Sequence, residues 1–365
     1  MKRLSNFIKK ITAILIFAFS FFMSFSLEWE NPLDLKIAYK KENPETEVIG
    51  YEEIWGYVMD SRSFEWDKNM PLSDIAVFAA DVNCYGNLES IPSAEKYKEF
   101  SGRTHLVIMC EGRSLTHMVI SSECGKRKSL VKQIAKASEQ FDGVQLDFEN
   151  VPKKDGEDFI RFLKEVRRAM KKGKMLSIAL PARVKTLADD VYDYSKIVPL
   201  VDRIVVMAYD EHWSTSSPGS IASMNWCMKI SSYSTDVIPD EKLIMGLPFY
   251  GRTWVSENFG KAWYFSGINR ILNENPILKT EGRKDIKVPA EVKRTDGIPN
   301  FTFNTEVKVT GYFEDAVSVL KRCRLYKEDG ISKIAFWRIG QEDRDIWNFL
   351  NIEKDFYNAE KTKRD

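Results

Sequence analysis

Histidine is scarce in this 365-residue chain: only His105, His117 and His212 occur. Three isolated imidazoles supply neither a metal cluster nor the base of a serine triad. Cysteine is scarce as well. Cys84, Cys110, Cys124, Cys227 and Cys323 are scattered, and none stands in a CxxC or CxxH spacing. That removes the usual zinc signature, and an odd, dispersed set does not make a disulfide framework. No metal and no cofactor are expected. Net charge is also lacking, with 54 basic side chains against 53 acidic ones. A balance of +1 gives no electrostatic argument for nucleic acid or an anionic membrane as partner. The expected partner is neutral or small. Internal repeats and low-complexity linkers are missing too.

Long apolar runs are absent except at the start. Lys2, Arg3, Lys9 and Lys10 form a basic region, residues 11–25 carry no charge, and Ser24 and Ser26 give a small-x-small pattern. Residues 1–26 read as a secretory signal peptide cut near Ser26. The run is about 15 residues, short of the roughly 20 that span a bilayer, so an uncleaved anchor is the second reading. The expected location is outside the cytoplasmic membrane, with no stable membrane span after cleavage.

What is present is alternation. Short apolar or β-branched runs fall at 54–59, 75–80, 104–109, 143–148, 175–180, 203–208, 242–248 and 333–337. Helical periodicity separates several of them, most clearly at 158–171, where Phe159, Phe162, Leu163, Val166 and Met170 recur beside Arg and Lys. Eight nearly continuous apolar strands interleaved with helices predict a parallel sheet covered by helices. Closed on itself, this is a (β/α)8 barrel, which takes about 250 residues. The excess length is placed between strands seven and eight. Residues 27–257 and 312–360 are read as the barrel, and 258–311 as a small α+β insertion on its upper rim.

The densest chemistry lies in Phe141-Asp142-Gly143-Val144-Gln145-Leu146-Asp147-Phe148-Glu149. Val144, Leu146 and Phe148 share one face; Gln145, Asp147 and Glu149 share the other. In a barrel the apolar face meets the helices and the polar face meets the lumen. Two carboxylates two residues apart on a strand are separated by about 6.6 Å along it. They fall at the strand's carboxyl end, where barrel active sites are built. Burying them costs several kcal/mol, so a sequence shaped only by stability would place Val or Ile there. A charged Asp147 would disfavour ionisation of Glu149 and suit it to general acid work.

This run resembles the DxxDxDxE signature of glycoside hydrolase family 18, the chitinase-like barrels, and is nearest to the bacterial branch of spore-cortex and cell-wall glucosaminidases. Met207-Ala208-Tyr209-Asp210 resembles that family's MxYD element. Leu247-Pro248-Phe249-Tyr250-Gly251-Arg252 resembles its strand-seven motif, Tyr312-Phe313-Glu314-Asp315 the close of its insertion, and Trp337 its strand-eight tryptophan. The resemblance implies cleavage of β-linked N-acetylglucosamine glycans, such as peptidoglycan, chitin-type oligosaccharides or an N-glycan core, with the substrate's own acetamido oxygen as nucleophile. Glu149 would then be acid and base. Asp147 would hold the acetamido N–H, Tyr209 its carbonyl, and Asp142 would support Asp147 electrostatically. Trp337 would floor the sugar, Asp210 would contact a hydroxyl across the cleavage point, and Tyr57, Tyr250 and Met207 would line the substrate site. Gln145 stands where the family pattern has Asp. Its amide removes one negative charge, can still hydrogen-bond Asp147, and would weaken proton cycling.

Other residues are open to two readings. Arg252 either lines the cleft or caps a strand. Trp213 and Trp254 either stack outer sugars or are rim residues, and His212 is read as a loop residue. Two other functions remain. A catalytically silent barrel would bind amino sugars as a lectin, though such proteins usually lose the acid that Glu149 supplies. An unrelated retaining glycosidase would need a second catalytic Glu at another strand end, and none of the expected strands ends in one.

Overall fold

The structure, a computed structural model, describes residues 37–353 apart from 45–46, 256–258, 275–276, 282–283, 289 and 305–306. The signal-peptide reading at 1–26 lies outside the described residues.

Eight parallel strands close into a barrel: β1 (Glu53–Met59), β2 (Asp74–Val82), β3 (Arg103–Glu111), β4 (Gly143–Glu149), β5 (Met175–Pro181), β6 (Arg203–Met207), β7 (Leu243–Pro248) and β8 (Lys333–Trp337). Each pairs with its sequence neighbour, and β8 returns to β1 with Ala335 opposite Trp55. The (β/α)8 expectation is met, and the strand positions agree to within a few residues at each end.

The alternation in β4 sorts as physics requires. Val144, Leu146 and Phe148 enter the outer core between barrel and helices. There they meet helix Gly156–Ala169, which buries Phe159, Phe162, Leu163 and Val166. Phe148 and Phe162 lie 5.0 Å apart. Burial of each such side chain contributes about 1.5–3 kcal/mol. The same helix has Glu157 and Asp158 in its first turn and Arg167 and Arg168 in its last, matching its dipole.

The lumen is layered. At the foot of the strands, Arg103 forks onto Asp74 at 2.6 and 2.8 Å, Arg203 binds Glu53 at 2.6 Å, and His105 meets Asp74 at 2.7 Å. These groups are buried, and each is compensated by a partner on another strand. Above them sits an apolar layer of Trp55, Tyr57, Ala76, Val107, Val205, Ile244 and Ala335. The packed lumen leaves the mouth, at the carboxyl ends, as the place where polar side chains are free to act.

Between β7 and β8 the chain builds a five-stranded antiparallel sheet in the order Phe259–Trp263, Gly251–Val255, Lys308–Tyr312, Ile298–Asn304, Val292–Thr295. A helix, Phe265–Glu274, and a separate hairpin of Ile277–Glu281 with Lys284–Val288 accompany it. This sheet reaches beyond 258–311 on both sides, because Gly251–Val255 is its second strand and Tyr312 pairs with Arg252. Phe301 and Phe303 stack at 5.9 Å within it.

Candidate active site at the barrel mouth

β4 delivers Asp147 and Glu149 to the carboxyl end of the barrel. Asp147 is 6% exposed, and its Oδ1 is buried with no hydrogen-bond partner. Glu149 is partly exposed above it. Tyr192 locks the end of the strand, since its hydroxyl donates to Phe148 O at 2.9 Å and accepts from Val151 N at 3.0 Å.

The electrostatics differ from the expectation in one respect. Burial, then Glu149, then Glu111 push the Asp147 carboxyl up to about 7. Glu149 is also raised, by burial and then by Glu111 and Asp210. Glu149 thus adds to the strong rise at Asp147, whereas the acids that raise Glu149 are Glu111 and Asp210. The expected charged Asp147 beside Glu149 is replaced by a strongly raised Asp147, with Glu111 and Asp210 as the acids that act on Glu149.

Two supporting expectations are corrected. Asp142 does not support Asp147. It lies at the opposite end of β4, where its Oδ2 accepts from Thr104 N at 2.8 Å. Its sequence position is even, out of phase with the inward residues 143, 145, 147 and 149. Gln145 does not bond Asp147 among the described residues. Its Oε1 accepts from the Tyr57 hydroxyl and its Nε2 donates to Ser177 Oγ at 3.4 Å, so both ends of the amide are engaged elsewhere.

The aromatic wall assembles around this floor. Trp337 meets Tyr57 edge-on at 5.2 Å and Phe78 at 5.0 Å. Tyr57 thus joins the tryptophan of β8 to the polar face of β4. Tyr209 follows β6, with Met207 partly exposed two residues earlier. Burial, Tyr57, Asp147, Tyr250 and Asp210 all hold the Tyr209 hydroxyl in its protonated form, which places them around one point. Its ring lies over Gly246 of β7, where an added Cβ would come within 3.0 Å of Cε1.

Asp210 adopts a left-handed backbone, φ 59°, and is exposed. Its Oδ1 accepts from the Tyr250 hydroxyl at 2.5 Å and from Arg252 Nη2 at 2.9 Å. Tyr250 is therefore buried and engaged with Asp210. Trp254 is 0% exposed and cannot stack a sugar, whereas Trp213 is 52% exposed. Trp213 O accepts from Trp254 Nε1 at 3.2 Å, so the buried ring braces the exposed one. His212 is a loop brace, with Nδ1 against Ser220 O at 3.0 Å.

The sequence reading missed Glu111. The expected third strand stopped at 109, but β3 runs to Glu111, directly opposite Glu149. The signal was present: His105, Val107, Met109 and Glu111 continue the inward phase. A second strand does therefore end in Glu.

Among the described residues no group of His, Cys, Asp or Glu is arranged to hold a metal ion. No helix among them is long and apolar enough to cross a membrane.

An acidic floor walled by aromatic rings at the carboxyl end of a (β/α)8 barrel is the site of a carbohydrate-handling barrel enzyme. Comparison with known proteins makes this specific. The sequence model described as glycosyl hydrolases family 18 matches residues 10–342, and the chain belongs to that family. It is 27% identical over 243 residues to the uncharacterized glycosylase YvbX of Bacillus subtilis (strain 168), covering 65% of this chain and 68% of that one. It is 26% identical over 240 residues to the cortical fragment-lytic enzyme of Bacillus anthracis, covering 64% of this chain and 54% of the relative. The chain thus spans about half the length of several curated relatives. Among solved structures it resembles the Bacillus cereus spore cortex-lytic enzyme SleL, with a TM-score of 0.70, 23% identity, and coverage of 85% of this chain and 77% of that one.

Proposed function

We propose that this chain is an exported hydrolase of β-linked N-acetylglucosamine glycans that works by substrate-assisted retaining catalysis. The supporting observation is the buried, unpartnered Oδ1 of Asp147 beneath Glu149. Buried polar atoms are nearly always hydrogen-bonded. An acceptor left open at a barrel mouth is matched by an incoming donor, and an acetamido N–H is one. Tyr209 supplies a hydroxyl for the acetamido carbonyl, and Trp337 a flat apolar face for the pyranose ring.

The acetamido oxygen attacks its own anomeric carbon as the glycosidic C–O bond breaks. Glu149 gives its proton to the leaving oxygen. The positive charge on the cyclised acetamido group is held by Asp147, whose proton affinity near neutrality lets it pass between hydrogen-bonding and charged forms. Glu149 then takes a proton from water, which opens the ring with overall retention.

The glycan proposed first is peptidoglycan, because the chain is similar to cortical fragment-lytic enzymes. The position of Glu111 keeps a two-carboxylate mechanism in competition, since retaining enzymes of that kind hold their carboxyls about 5–5.5 Å apart. Incubation with purified peptidoglycan and with chitin, with products weighed by mass spectrometry, tests the substrate. A thiazoline analogue of the cyclised intermediate is expected to inhibit. Indifference to it, or binding of glycans with no product released, counts against this function.

A further inference from the structure

We propose that Glu111, the last residue of β3, is a positioning carboxylate for Glu149, supplying from the neighbouring strand the negative charge that Gln145 leaves out of β4. This rests on the reading of Glu149 as the proton donor.

The geometry begins with register. β3 and β4 pair in parallel, and Glu111 is the partner of Glu149, just as Met109 is of Asp147 and Val107 is of Gln145. Paired residues on adjacent parallel strands point to the same face, and Val107 belongs to the lumen cluster. Glu111 therefore rises on the inner side, one strand spacing of about 4.8 Å from Glu149 at the backbone. Two like charges at that separation oppose one another. A strand end shaped for stability would not place them together.

Apart from Asp147, whose Oδ1 is unpartnered, the other charged and titratable groups around Glu149 are already engaged. Asp147 lies below it on the same strand. From the loop after β6, Asp210 is tied to Arg252 and to the Tyr250 hydroxyl, and Tyr209 is neutral. From the loop after β5, Tyr192 is bonded to the β4 backbone, and Arg183 over its ring is paired with Asp190 at 2.6 Å. From β1, Tyr57 is bonded to Gln145. Glu111 makes no hydrogen bond or ion pair among the described residues, so its charge is left facing the pair. Both members feel it: Glu111 contributes to the raised proton affinity of Asp147 and of Glu149. Gly112 follows with open space where a Cβ would lie, so the carboxylate stands at an open mouth and not in a packed wall.

The sign is definite. A negative Glu111 favours the protonated form of Glu149, so it extends the pH range over which the acid is loaded. Its exposure means that salt screens the effect.

The experiment measures kcat/KM against pH for a chromogenic N-acetylated chito-oligosaccharide at low salt and at 0.5 M salt. It compares wild type, Glu111→Gln, Glu111→Asp and Glu149→Gln. The basic limb is expected to fall by about half to one pH unit in Glu111→Gln at low salt. Glu111→Asp should restore part of the shift, salt should move wild type toward the variant, and the plateau below the limb should change less than threefold. A basic limb unmoved in Glu111→Gln overturns the proposal. So does a loss of a hundredfold or more at every pH, which would make Glu111 a reacting group. If Glu149→Gln itself keeps full activity, the acid assignment has failed instead. The same comparison is read without substrate from the carboxyl 13C shifts of labelled glutamate, with the Glu149 signal identified by its loss in Glu149→Gln. A Glu149 titration unchanged by Glu111→Gln also overturns it.

Discussion

The Tyr57 hydroxyl on the first barrel strand donates to the side-chain carbonyl of Gln145 on the fourth. With Ser177 taking the amide nitrogen at 3.4 Å, this bond fixes the one position where the chain departs from its family's acidic pattern. An aspartate there would add a third carboxylate on the inner face of β4. In Gln145→Asp both limbs of the pH–activity profile are therefore expected to move upward, by about one unit. The variant should also unfold more readily above pH 7. A profile unchanged from wild type would mean that position 145 is electrically silent toward Asp147.

Asp147 should carry a stability cost that depends on pH. Burial pushes its carboxyl up to about 7 in the fold, against about 3.9 in an unfolded chain. Between those values the folded state binds the extra proton, so stability falls as pH rises through the window and stays low above it. Asp147→Asn removes the cost. Its melting temperature is expected to match wild type near pH 4 and to exceed it at pH 8, by an amount equivalent to roughly 1–3 kcal/mol. Calorimetry at the two values checks this; a pH-independent difference would contradict the buried, raised carboxyl. Activity should fall at the same time.

Gly246 is expected to matter through Tyr209. An added Cβ would lie 3.0 Å from the tyrosine ring and 2.8 Å from Val206 O. Gly246→Ala should lower kcat/KM about tenfold or more, with a stability loss of about 1–3 kcal/mol. Tyr209→Phe keeps the ring and removes the hydroxyl, so it should match the kinetic loss while melting near wild type. If Tyr209→Phe is fully active, the hydroxyl has no part in holding the acetamido carbonyl.

The foot of the barrel offers a test away from the chemistry. Arg103 lies between Asp74 and Glu53, at 2.6 and 2.7 Å. Arg103→Met leaves both buried acids without that partner and is expected to cost about 3–5 kcal/mol in denaturant unfolding. A cost below 1 kcal/mol would show that Arg203 and His105 suffice to compensate them.

The parts of this molecule that could be read from sequence are those whose signal is local. Alternation in 143–149 and helical spacing in 158–171 each report which face is buried, and both reappear in the fold. What was lost depends on contacts distant in sequence. Asp142 looked like part of the acidic run because it is near in sequence, yet five residues of strand carry it to the other end of the barrel. Glu111 lay beyond the expected end of the third strand at 109; its pairing with Glu149 joins residues 38 apart in sequence. Trp254 had the composition of a sugar platform, and its burial comes from packing against Tyr250 and Ile221, which no spacing rule announces.

The most direct measurement is the leaving-group dependence of Glu149→Gln. With a sugar as leaving group, kcat/KM is expected to fall by about 10²- to 10⁴-fold, the usual worth of a positioned acid. With 2,4-dinitrophenolate, which departs without a proton, the same variant should stay much closer to wild type. Equal losses on both substrates, or no loss on either, would contradict Glu149 as the proton donor.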